Sequence, residues 1–301
     1  MKKIVILWSL SLISGFLSAQ TRPIDPKMDP RNFSEIMGVS DFELLHRAYD
    51  LSKYEVLDTS RIIVFYKKEF LQDKEKKAAN IDTMRLSVGT RYSVFFSNCL
   101  FHMDSVFTAY GCAKEYGGVG RYEGSTYYRD LTNGNIRVIN RIPYMKNSVV
   151  EYTQSSPDYN WEMISDSVKS ILGYRCLLAK AKYGGREWFA WFSPELPLDS
   201  GPWKLCGLPG LILKAEDTDH EYVFNAIALS PCKTEIKRYI WNSRTMTLSK
   251  WLDFARKMHA HPYDYVSNGG KTLFLHLSDD ATKPYLERET WVAPYNPIER
   301  E

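Results

Sequence analysis

The chain has 301 residues, with 39 basic against 36 acidic side chains and a formal net charge of +3. Two of the lysines, Lys2 and Lys3, lie at the extreme N-terminus, so the rest is close to neutral, which argues against nucleic acid or an anionic membrane as the main partner. With 44% hydrophobic and 14% aromatic residues the chain can bury a full core and does not have the composition of a disordered protein.

Residues 1–19, MKKIVILWSLSLISGFLSA, combine a basic start, an apolar stretch and a small-residue exit, the three parts of a secretory signal peptide. The stretch Ile4 to Leu17 is short of the roughly 20 residues that a membrane-spanning helix needs. Nothing later is apolar for long enough, so the expectation is an exported protein, periplasmic or envelope-associated, with no transmembrane segment after signal cleavage. Residues 20–40 carry Pro23, Pro26 and Pro30 and little pattern, which predicts an extended leader. Residues 41–301 then form a single domain.

Within that domain, 41–54 is compatible with a short helix or an early strand. RIIVFY (61–66) reads as a buried strand, and the charged KKEFLQDKEKKAAN after it as a solvated loop or short helix. MRLSVGTRYSVFF (84–96) predicts a hairpin at Gly89-Thr90, and 97–110 a helix capped by Ser97 or Asn98. YYRDLTNGNIRVINRI (127–142) predicts a hairpin with a type I′ turn at Asn133-Gly134. CLLAKAKYGGREWFAWFS (176–193) predicts a second hairpin at Gly184-Gly185, with Trp188, Ala190 and Phe192 on one face of its return arm. LILKA (211–215) and EYVFNAIAL (221–229) make a third, and IKRYIW (236–241) is a further strand. TLSKWLDFARKM (247–258) has helical spacing with Thr247 as cap, and KTLFLHL (271–277) suits a last strand. The fold class expected is α+β, mainly antiparallel β: a meander or half-barrel-like sheet with one or two packed helices, with a β-sandwich as the alternative.

The most constrained stretch is GPWKLCGLPGLILKAED (201–217). Gly201, Pro202, Gly207, Pro209 and Gly210 restrict or release the backbone at fixed points, which predicts a rigid turn, with Gly210 at the third position of a type II turn. Trp203, Leu205, Leu208, Pro209 and Trp188 are candidates for the rim of a binding groove; the plainer reading is a turn plug closing one end of the core. Cys99, Cys112, Cys176, Cys206 and Cys232 are candidates for disulfides in an exported chain. Their odd number leaves at least one thiol over, and the pairing stays open. His259 and His261 are the one close histidine pair, which a metal would need Asp264 or His276 to complete. Glu216, Asp217 and Asp219 do not have calcium-loop spacing and read as a solvated hairpin turn. No nucleophile elbow or phosphate loop is present, so no cofactor and no catalytic residue is assigned.

The run SILGYRCLLAKAKYGGREWFAWFSPELPLDSGPWKLCGLPGLIL resembles the GLPGLI family of exported Bacteroidota proteins, named for the hexapeptide Gly207-Leu208-Pro209-Gly210-Leu211-Ile212. DTMRL (82–86), YSVFFS (92–97) and the NPIE of 296–299 add to the likeness. The resemblance implies export and a family without an assigned function. The functional expectation is therefore a non-enzymatic envelope protein that binds an unknown envelope partner or an apolar ligand on a curved sheet. Two alternatives stand beside it: an accessory that docks on an outer-membrane transporter or secretion machine, and a metal-dependent hydrolase.

Overall fold

Alternating apolar and polar residues along most of the chain build strands, and the computed structural model describes residues 46–75, 79–110, 119–120, 122–143, 147–261 and 293–300. The predicted signal peptide, leader and 271–277 strand, together with Cys112, Asp264 and His276, lie outside the described residues. In chain order come β1 (His46–Arg47), β2 (Tyr54–Thr59), β3 (Ile62–Phe70), β4 (Asn80–Val88) and β5 (Tyr92–Ser97), then helix α1 (Asn98–Tyr110). They are followed by β6 (Val119–Gly120), β7 (Ser125–Asp130), β8 (Asn135–Arg141), β9 (Ser148–Ser155), β10 (Glu162–Ile171), β11 (Tyr174–Tyr183) and β12 (Arg186–Ser193). Strands β13 (Leu211–Asp217), β14 (Tyr222–Pro231), β15 (Glu235–Tyr239) and β16 (Asn242–Thr245) precede helix α2 (Leu248–Ala260). The architecture is α+β with a predominantly antiparallel sheet, as the alternation predicts.

Twelve strands form one open sheet in the order β10-β11-β12-β13-β14-β3-β4-β5-β7-β8-β9-β16. Two antiparallel meanders, β3–β9 and β10–β14, are joined where β14 pairs with β3, and β16 adds in parallel to β9. The sheet curls tightly. Strands β9 and β11 stand nine places apart in that order, about 43 Å along a flat sheet at ~4.8 Å per strand. Yet Gln154 Nε2 of β9 donates to the Tyr183 hydroxyl of β11 at 3.0 Å. The inner face of the curl carries the main core, including Tyr66, Met84, Phe95, Val138, Trp188, Phe192, Leu213 and Phe224. Burying each such large apolar side chain contributes roughly 1.5–3 kcal/mol. A smaller cluster on the outer face, Tyr49, Val94, Tyr128, Ile139, Val149 and Ile236, lies between the large sheet and the β2–β15 pair.

Local chemistry accounts for most turns. Gly184 and Gly185, with φ of 60° and 70°, make the two-residue turn between β11 and β12. Ser97 Oγ accepts from the Leu100 amide at 3.1 Å and so caps α1. Thr247 caps α2, whose Ala255 and Met258 are buried.

Two expectations need correction. The KKEF segment continues β3, because Lys68 turns inward to a carboxylate partner while Lys67 and Glu69 pair outside at 2.7 Å. The β7–β8 connection is also longer than a type I′ turn: only Gly134 has positive φ (72°), and its amide donates to Asp130 O across residues 131–134.

Candidate functional site

The constrained 200–210 segment sits inside the curl. Tyr159 Oη donates to Lys204 O at 3.0 Å, Trp161 Nε1 to Cys206 O at 2.8 Å, and Tyr66 Oη to Ile212 O at 2.7 Å. Arg129 of β7 donates to the Asp199 carbonyl and pairs with its carboxylate at 2.7 Å. The segment therefore stoppers the end of the curl formed by the start of β5 and β8 and the finish of β4 and β7.

Trp188, Trp203, Leu205 and Leu208 are at most 5% exposed. These rim candidates thus lie in the core, where their apolar area is removed from water, and Pro209 alone of that set is exposed. The positive-φ residues are Trp203 (56°) and Gly207 (87°), whereas Gly210 has an ordinary φ. Gly210 is glycine for a different reason from the predicted type II turn: a Cβ there would stand well under 3.0 Å from the Ser193 carbonyl oxygen.

The opposite end of the curl opens into a chamber of about 220 Å³. Its walls come from the finish of β3 (Phe70), the approach to β7 (Tyr122, Glu123), the finish of β8 (Asn140, Arg141), and Tyr152 and Tyr222 of β9 and β14. Trp203 of the plug lies at its floor, α2 contributes Trp251, Met258 and His259, and the tail supplies residues 294–299.

Ion pairs hold this wall. Lys68, directly opposite Asp82 on the neighbouring strand, binds Glu123 at 2.5 Å. Desolvation would raise the Glu123 pKa, but Lys68 outweighs it and holds the carboxyl below its usual range. Asp82 accepts from Ser97 Oγ and from the Glu123 amide, and burial still pushes its pKa up to about 6. Arg141 grips Asp104 of α1 with both terminal nitrogens and lies 4.5 Å from the Tyr49 ring.

The tail is tied down by charge. Glu299 pairs with buried Lys204 of the plug at 2.5 Å and accepts from Tyr183 Oη at 2.6 Å. Arg186 bonds Asp217, Glu221, Asn296 and the carbonyls of Pro297 and Ile298. Asp217, Asp219 and Glu221 come close enough to share a cation, but the Arg186 guanidinium already lies against Asp217 and Glu221.

The two predicted histidines face different surroundings. His259 lines the chamber with Nδ1 2.8 Å from Pro294 O, while His261 is exposed at the end of α2. The second imidazole of the chamber is His46, which no sequence signal singled out. Cys99, Cys176, Cys206 and Cys232 are all free thiols.

His46 Nδ1 and Trp203 Nε1, both from residues lining the chamber, are buried without a hydrogen-bond partner. Burial, reinforced by Arg141, lowers the His46 pKa from 6.5 to about 4. Between those values the unfolded chain takes up a proton that the folded one refuses. By itself this group lowers stability as pH drops through that window, by up to about 3 kcal/mol, while Asp82, whose pKa burial raises from 3.8 to about 6, acts in the opposite direction over the same range. Urea denaturation at about pH 7 and about pH 5 should show that His46→Gln loses less stability on acidification than the parent. The same pH dependence in parent and variant would place the proton uptake elsewhere.

No curated protein matches the chain. Among solved structures it is similar to PNGF-II in two crystal forms, at 15% identity with a TM-score of 0.48 and at 14% with 0.47. Each match covers 67% of this chain and 34% of that one, so the chain spans about a third of the length of those structures. Residues 183–214 match the profile of a family described as a protein of unknown function (Porph_ging). That match falls on the plug and the two strands that hold it.

Proposed function

We propose that this chain is an exported protein of the GLPGLI family that binds a compact ligand without chemically transforming it. The observation that carries the reading is the chamber at the unplugged end of the curl, walled by paired charges and by the half-buried rings of Trp251 and Tyr295. The ionised groups facing the chamber support binding rather than acid–base chemistry, since Glu123, Arg141 and Glu299 are each held by a counter-charge. At about 220 Å³ the space falls below the roughly 300–1,000 Å³ of drug-sized sites, which suits a small ligand better than a lipid chain.

Native mass spectrometry of residues 20–301, purified from a periplasm without detergent, tests this. An added mass that leaves on mild activation is the expected result; a clean mass at every activation energy would sink the binding reading.

A docking role has one observation of its own. Strand β10 pairs only with β11 among the described residues and exposes Met163 and Val168, which offers an edge for strand addition. Crosslinking in envelope extracts would then capture a partner through β10.

A further inference from the structure

Taking the binding reading as its basis, we infer that the chamber accepts an uncharged, hydroxyl-bearing ring of the size of one neutral monosaccharide. Charge comes first. Each ionised group on the wall arrives with its opposite: Glu123 with Lys68, Arg141 with Asp104, Glu299 with Lys204. A charged ligand would have to break one of these pairs or enter unpaired, and both are costly in a buried site. The aromatic faces do not invite a cation either. Lys68 Nζ already stands 4.4 Å from the centre of the Phe70 ring and 5.3 Å from that of Tyr222.

Hydrogen-bonding capacity comes second. Glu123 spends one oxygen on Lys68 and the other on the Ser125 amide at 3.1 Å. Glu299 spends its two on Tyr183 and Lys204. A carboxylate oxygen has a second lone pair, so both retain room to accept, and they line the chamber while their ammonium partners do not. A ligand that uses this capacity donates hydrogen bonds from separate points on its periphery while staying uncharged, which is what hydroxyl groups around a ring do.

Shape comes third. The faces of Phe70 and Tyr222 are taken up by Lys68, and it is the half-buried Trp251 and Tyr295 that add ring surface to the lining. These rings provide flat apolar surface for the C–H face of a saturated ring. The volume equals about seven waters, enough for one such ring.

Saturation-transfer NMR on residues 20–301 tests the assignment with three separate probes. These are an equimolar mixture of glucose, galactose, mannose and N-acetylglucosamine; choline; and decanoate. At least one sugar should receive saturation from the protein. Trp251→Ala and Tyr295→Ala, both at half-buried positions and checked for an unchanged melting temperature, should weaken its binding about tenfold or more.

Transfer to choline or decanoate alone, lost in the same variants, would overturn the ligand class while leaving the binding chamber standing. A sugar that binds both variants as well as the parent would overturn the location. Silence from all three probes would overturn the proposal, and the native mass would then decide separately whether the chamber holds anything at all.

Discussion

Lys204→Met will lower the unfolding free energy by about 3–5 kcal/mol, because it removes one partner of a buried ion pair and leaves the other uncompensated. The Lys204 side chain is wholly buried and Glu299 nearly so, and 2.5 Å separates their charged atoms. Burial lowers the Lys204 pKa against the pull of Glu299. Truncation should also cost the Gln154 contact at 2.9 Å, and with it part of the bridge between β9, the plug and the tail. The double variant Lys204→Met with Glu299→Gln removes both charges and should regain most of the loss, since no buried charge is left uncompensated and the Gln amide can still accept from Tyr183 Oη. Guanidinium denaturation of the parent, the two single variants and the double closes the cycle. If the double variant were as unstable as the sum of the singles, the pair would not be coupled and this account of the tail would fail.

Gly210→Ala is the second large effect. The added Cβ meets the Ser193 carbonyl oxygen and carbon and the Pro194 nitrogen, all backbone atoms that have no rotamer to change. The overlap can be relieved only by moving the start of β13 away from the end of β12, where Ser193 and Leu211 are register partners. A loss of at least about 3 kcal/mol is expected, at the upper end of what overpacking costs. Gly173→Ala is the comparison: φ is +86° there but nothing lies within 4 Å, so only backbone strain of about 1–2 kcal/mol is expected. Equal melting temperatures for the two variants would show that the β12–β13 junction gives way easily and that the plug is not rigid.

Much of the local structure was legible. Gly184-Gly185 announced the β11–β12 hairpin, since both residues take the left-handed φ that a two-residue turn demands. Thr247 and the spacing of Leu248, Trp251 and Ala255 announced α2. The plug was legible as backbone chemistry, but its contents were misplaced: Trp203, Leu205 and Leu208 suit a rim as well as a core until the burial is known. Lys68 was hidden for a related reason. A lysine in a charged run is usually solvated, and its partner Glu123 is 55 residues away. His46 carried no signal at all, because its role comes from being enclosed beside Arg141 and Gly124.

What the amino-acid order determined by itself is a part of the strands, the two helices and the Gly184-Gly185 turn, because alternation, caps and glycine torsions act over a few neighbouring residues, whereas β2, β9, β10 and β16 were not read from it. The chamber was decided only by the tertiary structure. Its wall joins β3, β8, β9, β14, α2 and the tail through contacts between residues such as Arg186 and Asn296 that are 110 positions apart. Those contacts depend on how tightly a twelve-stranded sheet curls, and curl is a property of all the strands packed together, which no single stretch of sequence encodes.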